Sequence, residues 1–264
     1  MKSENLNSFN TLSNLVGKGK NLVVQSTRMD FDTNTYISEL WKRSNGEWKK
    51  FKSGDSNFSN PKFGDKENTI FYIKTNRAVQ DKSKSKKTLS SIHMQAGRSV
   101  NKIFEIDGGI SNYSLSADGK FIYVTTSEFS EEFKNIENKD SEPMYYENLP
   151  FRFDTRGIIY NKRGHVYKVN LGTSKFNKIV DGDKNHIISI GSLVESDKGV
   201  VFSYEKYNSK GTMLEEKVGS LEAKKINEVH SKGSMGNLFY YEGDLHAVGL
   251  KNRFDWPTNT AVLK

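Results

Sequence analysis

The sequence predicts an all-β chain folded as a β-propeller of four-stranded blades, and three observations carry that prediction. No window of about a dozen residues sustains the i, i+3, i+4, i+7 apolar spacing of a helix, apart from a weak candidate at 128–137. Short runs rich in Val, Ile, Phe and Tyr recur instead, punctuated by Asp-Gly, Asn-Gly and Ser-Gly turns. These runs return in a fixed order about every 50 residues. Periods of ~40–50 residues with about four strands each belong to propellers, whose blades bury their faces only against neighbouring blades.

The first strand predicted is 21–28, and YISELWKR (36–43) follows with mixed polarity, as expected of a half-exposed strand. EWKKFKSG (47–54) comes after a tight turn and carries lysine beside aromatics. FSNPKFGDKENTIFY (58–72) then enters a turn at Asp65 and leads into TIFYIKT (69–75), a near-continuous apolar strand of the kind buried on both faces. The order repeats as LSSIHMQ (89–95), NKIFEIDG (101–108), ISNYSLSADGKFIYV (110–124) with KFIYVTT (120–126), HVYKVNL (165–171) and KFNKIVDG (175–182). It repeats once more as IISIGSLVESDKGVVFS (187–203), TMLEEKVGS (212–220) and LEAKKINEV (221–229). Gly54, Gly108 and Gly182 close the third run of three copies and lie 54 and 74 residues apart, the surplus of 20 matching one inserted acidic segment, about 128–147. This spacing predicts about four to five blades within one propeller domain over 1–264, a partial fifth opening at GNLFYYEGDLHAVGL (236–250).

Composition narrows the function. With no cysteine among 264 residues there is no disulfide framework, thiolate metal site or cysteine nucleophile. No run reaches the ~18–20 apolar residues of a membrane span, and MKSENLNSFNTLSNL lacks the apolar stretch of a secretory signal, so a soluble cytoplasmic protein is expected, with no membrane partner. The net charge of +8 comes almost wholly from lysines interspersed with acids. Readers of nucleic-acid sequence favour arginine forks, so no nucleic-acid partner is expected, and the dense run KSKSKK (82–87) reads as a solvated loop.

Catalytic motifs are absent: there is no Gly-x-Ser-x-Gly, no His-Glu-x-x-His, no EF-hand loop and no Walker loop, and GKGK at 17–20 lacks the Walker spacing. The five histidines, His93, His165, His186, His230 and His246, fall singly in separate units, and none has the short-range partner that seeds a metal site. His93 and His165 read as packed or half-exposed strand residues, and the Asp-Gly pairs at 107–108, 118–119 and 181–182 as turns. No catalytic residue, metal or cofactor is predicted.

Two segments fit the repeat less well. The insertion 128–147 holds seven acids, Glu128, Glu131, Glu132, Glu137, Asp140, Glu142 and Glu147, in a basic chain. After it, NLPFRFDTRGIIYNKRG (148–164) crowds Arg152, Asp154, Arg156 and Arg163 around a proline and two glycines. Loops on a propeller face commonly carry binding groups. A surface salt-bridge cluster is the alternative.

ELWKR (39–43), the junctions KFGDKENTIFYIKTNR (62–77) and LSADGKFIYVTTS (115–127), and above all LPFRFDTRGIIYNKRGHVYKVNL (149–171), resemble the N-terminal propeller of acylaminoacyl peptidases, members of the prolyl oligopeptidase family of serine peptidases. The resemblance implies a seven-bladed propeller that admits short peptides to a Ser-Asp-His triad on a C-terminal α/β-hydrolase domain. That domain and two or more blades have no counterpart in this sequence, so no catalytic residue carries over. What the resemblance implies is a non-catalytic, incomplete propeller that gates and docks peptides, with a peptide or a hydrolase domain as partner. Arg152, Asp154 and Arg156 are the expected contact cluster, because guanidinium forks suit carboxylates. Open blade edges would favour self-association. Two other readings remain: a stand-alone scaffold for a protein partner, and a five-bladed glycosidase, which needs paired carboxylates where the inner strands offer only Glu205.

Overall fold

The computed structural model describes residues 9–33, 35–77, 89–134, 146–149, 152–153, 157–197, 199–230, 233–250 and 261–263. They form two compact units, Met1–Gly109 and Ile110–Lys264. Each unit is a succession of antiparallel meander sheets, the blades expected from the period.

In the first unit, β1 (Asn10–Lys18), β2 (Asn21–Asp30), β3 (Thr35–Ser44) and β4 (Glu47–Lys52) pair in chain order. A second sheet follows, again in chain order: β5 (Ser56–Phe63), β6 (Thr69–Asn76), β7 (Leu89–Ala96) and β8 (Ser99–Asp107). Val23 and Leu40 of the first sheet meet Phe58, Ile70 and Tyr72 of the second, flanked by Val16, Phe51 and Phe63. The apolar run of β6 explains its place: Ile70, Phe71, Tyr72 and Ile73 are all at most 3% exposed, so both faces are buried. By contrast β4 is largely exposed, which suits its lysines. GKGK is the β1–β2 hairpin turn, with Gly19 at φ +58° and Lys18 Nζ donating to Gly64 O at 2.6 Å.

The second unit contains β9 (Gly109–Leu115), β10 (Phe121–Phe129), β13 (Lys162–Asn170) and β14 (Phe176–Val180), with α1 (Glu131–Lys134), β11 (Arg152–Phe153) and β12 (Gly157–Ile158) between β10 and β13. After a one-turn α2 (Gly182–Asn185) comes the sheet of β15 (Ile187–Ser196), β16 (Gly199–Tyr207), β17 (Leu214–Glu222) and β18 (Lys225–His230). The last sheet has, among the described residues, the strands β19 (Ser234–Tyr241), β20 (Asp244–Leu250) and β21 (Ala261–Leu263). One core joins Tyr123, Val166 and Val180 to Ile187, Ile190, Phe202 and Tyr204, and another joins Val201 and Val218 to Met235, Leu238 and Ala247.

Four complete sheets and one three-stranded sheet agree with the predicted four to five blades. Three boundaries need correction. Strand β1 was not predicted, because NTLSNLVGK is polar and its residues are mostly exposed. Of the helix candidate at 128–137, Glu128 and Phe129 belong to strand β10, Glu131–Lys134 form the single turn of α1, and 135–137 lie outside the described residues; the insertion leaves the blade after Phe129, since Glu128 is a buried residue of β10 paired across from Arg163.

A repeated irregularity marks the first strand of several blades. In β1, β5, β15 and β19 the register against the second strand shifts at Ser13/Val16, Ser59/Lys62, Ile190/Leu193 and Gly236/Phe239. In three of these bulges the residue with left-handed backbone is an asparagine: Asn14, Asn60 and Asn237, at φ 46–50°. Asparagine reaches that region at lower cost than most side chains, so the short Ser/Gly-Asn steps at 13–14, 59–60 and 236–237 are the sequence mark of a bulged first strand.

Candidate functional site

Three first strands of the second unit bring their small polar residues to one cavity of about 570 Å³. Ser111 and Asn112 come from β9, Ser189, Gly191 and Ser192 from β15, and Ser234, Gly236 and Asn237 from β19, while Ser203, Glu205 and Glu216, with the apolar surface of Tyr204 and Met235, complete the wall. The bulges of β15 and β19 lie in this wall and turn backbone amides toward side-chain acceptors. Ser192 N donates to Ser203 Oγ at 3.0 Å, and Leu238 N, from the next blade, donates to Ser192 Oγ at 2.9 Å. Glu205 accepts the Ser189 hydroxyl and stands directly across the ladder from Glu216. The cavity therefore offers hydroxyls, amides and carboxylates, the groups that bind a polar ligand by hydrogen bonds. Ser192→Ala is expected to cost about 1–2 kcal/mol of stability, because it leaves the Leu238 N–H without its acceptor; chemical denaturation measures it, and an unchanged midpoint refutes the inter-blade role of this bond.

A second polar cluster lies where the insertion leaves the blade. His165 of β13 is fully buried, and its Nδ1 accepts from Gly182 N at 3.1 Å, which places the ring proton on Nε2. That Nε2 faces Asp183 Oδ2 at 3.9 Å and Glu128 Oε1 at 4.0 Å. Glu128 accepts from Thr126 Oγ1 at 2.8 Å and Tyr167 OH at 3.0 Å, and Lys134 of α1 lies 3.6 Å from its other oxygen. Asp183 accepts from Glu131 N at 3.3 Å, so α1 is tied to the blade by both acids. Burial pushes the His165 imidazole below its usual range, with Glu128 opposing that shift and Lys178 adding to it.

His165, Asp181 and Asp183 place ligand-type atoms within 4.8 Å of one another. The donor chemistry does not fit a metal. A ligating histidine donates its second ring N–H to a neighbour, whereas here Nδ1 is an acceptor, and Arg163 and Lys178 already lie 3.6 and 3.9 Å from the acids. Sequence reading missed the grouping because it unites β13 with the α2 turn, 16 and 18 residues downstream.

Of the predicted contact residues, Arg152 is exposed on the short strand β11, opposite Ile158 of β12. Asp154 and Arg156 lie outside the described residues, as do the run KSKSKK (82–87) and the insertion from 135 to 145. Arg163 turns inward, its Nη1 donating to Tyr160 O and Lys162 O. Nothing in the sequence marks Glu216, which sits on a third strand, away from the apolar inner runs.

No family profile and no curated protein matches this chain. Solved structures do. The chain is similar to Pyrococcus horikoshii acylaminoacyl peptidase, with 13% identity and a TM-score of 0.65, over 95% of this chain and 37% of that one. An acylaminoacyl peptidase in complex with Z-Gly-Gly-Phe-chloromethyl ketone matches with 11% identity and a TM-score of 0.56 over 92% of this chain and 43% of that one. A Mycobacterium tuberculosis puromycin-hydrolyzing peptidase matches with 11% identity and a TM-score of 0.54 over 97% and 37%. The chain thus spans about two fifths of the length of these structures. Among the described residues no helix is long and apolar enough to cross a membrane. At these identities the likeness establishes the fold, a β-propeller shared with part of the acylaminoacyl peptidase structures.

Proposed function

We propose that this chain is the non-catalytic propeller portion of an acylaminoacyl-peptidase-like serine peptidase, gating and docking peptides for an α/β-hydrolase domain. The observation that carries the reading is the asymmetry of coverage: nearly all of this chain aligns with less than half of each peptidase. The polar cavity on successive first strands supports it, since a peptide backbone needs the donors and acceptors found there. Chemistry would reside on the hydrolase domain, where a serine nucleophile, a histidine base and an oxyanion hole perform acyl transfer. Arg152, Asp154 and Arg156 are the groups proposed to meet a peptide or hydrolase carboxylate.

Incubated alone with chromogenic acyl-peptide substrates, the chain is expected to show no turnover. Joined to a hydrolase domain encoded beyond Lys264, it is expected to pass short acyl peptides and exclude folded proteins. Activity of this chain alone that a serine-directed inhibitor abolishes overturns the reading. Absence of a Gly-x-Ser-x-Gly frame beyond Lys264 favours a stand-alone scaffold instead.

A further inference from the structure

Cationic groups outnumber acids on one face of the first unit, where Glu105, opposite Ser91, bonds Lys102. Alternation along the strands puts Tyr72 and Lys74 of β6, Ser91 and His93 of β7, and Lys102 of β8 on this face, with Tyr72 paired to His93, Lys74 to Ser91 and His93 to Lys102. The Tyr72 and His93 rings stack at 5.6 Å and 9°. Lys52, at the end of β4, brings its Nζ to 5.2 Å from the Tyr72 ring centroid. Ser91 Oγ donates to Lys74 O at 3.3 Å, so it accepts from His93 Nε2, 3.0 Å away.

The neighbouring lysines of this unit are neutralised: Lys49 by Glu47 at 3.0 Å, Lys50 by Glu39 at 3.3 Å, and Lys102 by Glu105 at 2.8 Å. Lys52 and Lys74 have no carboxylate partner among the described residues. Burial, and then Lys74, lower the Lys52 ammonium from its usual range. The His93 imidazole is lowered by burial and then by Lys74, Lys102 and Lys52, with Glu105 alone opposing. Half-buried like charges held together raise the energy of the face, and a bound anion removes that cost.

We propose that the face formed by Lys52, Lys74 and His93 binds a tetrahedral oxyanion, the dianionic phosphate group. Two ammonium groups meet a phosphate as point charges, and the imidazole, relieved of their field, takes up a proton when the anion arrives. This site is separate from the polar cavity and does not rest on the peptidase reading.

The test is a titration of the full chain with sodium phosphate against sodium chloride at matched ionic strength, following the His93 ring signals by NMR and the melting temperature. Phosphate is expected to bind saturably and to move the His93 titration upward, with glycerol 1-phosphate doing the same if the site accepts monoesters. Lys52→Met with Lys74→Met is expected to weaken binding about tenfold or more, whereas Lys49→Met leaves it intact. Should the double variant fail to fold, Lys74→Gln alone gives the same reading through His93. Equal responses to phosphate and chloride, or a variant that responds as the parent does, overturn the proposal.

Discussion

Replacing His165 by alanine is expected to lower the stability of the second unit by about 3–4 kcal/mol, or roughly 6–16 °C in melting temperature. Two losses add. A fully buried ring is removed from the base of β13, and the Gly182 N–H that it accepts is left without a partner. The second loss matters because Gly182 opens the α2 turn, and Asp183 of that turn holds both Arg163 and the first amide of α1. His165→Asn separates the two contributions. Its Oδ1 can stand where Nδ1 stands, so the variant is expected to retain most of the stability that alanine loses.

The same residue sets a pH dependence. Its folded pKa lies below the ordinary histidine value of about 6.5, so as pH falls through that value the unfolded chain takes up a proton that the folded chain refuses. Stability from this group is fully present above about pH 6.5 and declines below it. Protonating Nδ1 would also cancel its bond to Gly182. In His165→Asn the acid decline should flatten; an unaltered decline would mean that the ring is not its source.

What the sequence could disclose follows from the range of each interaction. The blade pattern is local: β6, β10 and β16 announce themselves as apolar runs because both of their faces are buried. The Asp-Gly turns are equally local, and Asp181 caps α2 as its type suggests, accepting from Asp183 N. By contrast β1 was hidden, since its strand is held by pairing with β2 more than by apolar burial. Glu128 reads in the sequence as one of the seven acids of the insertion, whereas Thr126, Tyr167 and Lys134 hold it buried. No residue within a few positions of Glu128 discloses the tyrosine 39 residues away. The polar cavity was equally hidden, because it is built from unremarkable serines that converge only when three blades stand side by side.

Lys62→Met is expected to stabilise the first unit, by as much as about 3 kcal/mol at neutral pH. Lys62 lies on β5 opposite Phe71, one of the most buried residues of β6, and burial lowers its ammonium from 10.5 to about 8. A folded pKa below the unfolded one means that the charged form is disfavoured in the fold, so the cost is complete well below pH 8 and is relieved as pH rises from about 8 toward 10.5. Methionine fills the same stem volume without the charge, which a buried site rewards. Two measurements decide it. Thermal unfolding at pH 7 should show the variant melting several degrees higher, and between pH 8 and 10 the parent should gain on it until the difference closes. A variant that is less stable at neutral pH, with a gap that does not change on the alkaline side, would mean that the bonds Lys62 makes outweigh its desolvation.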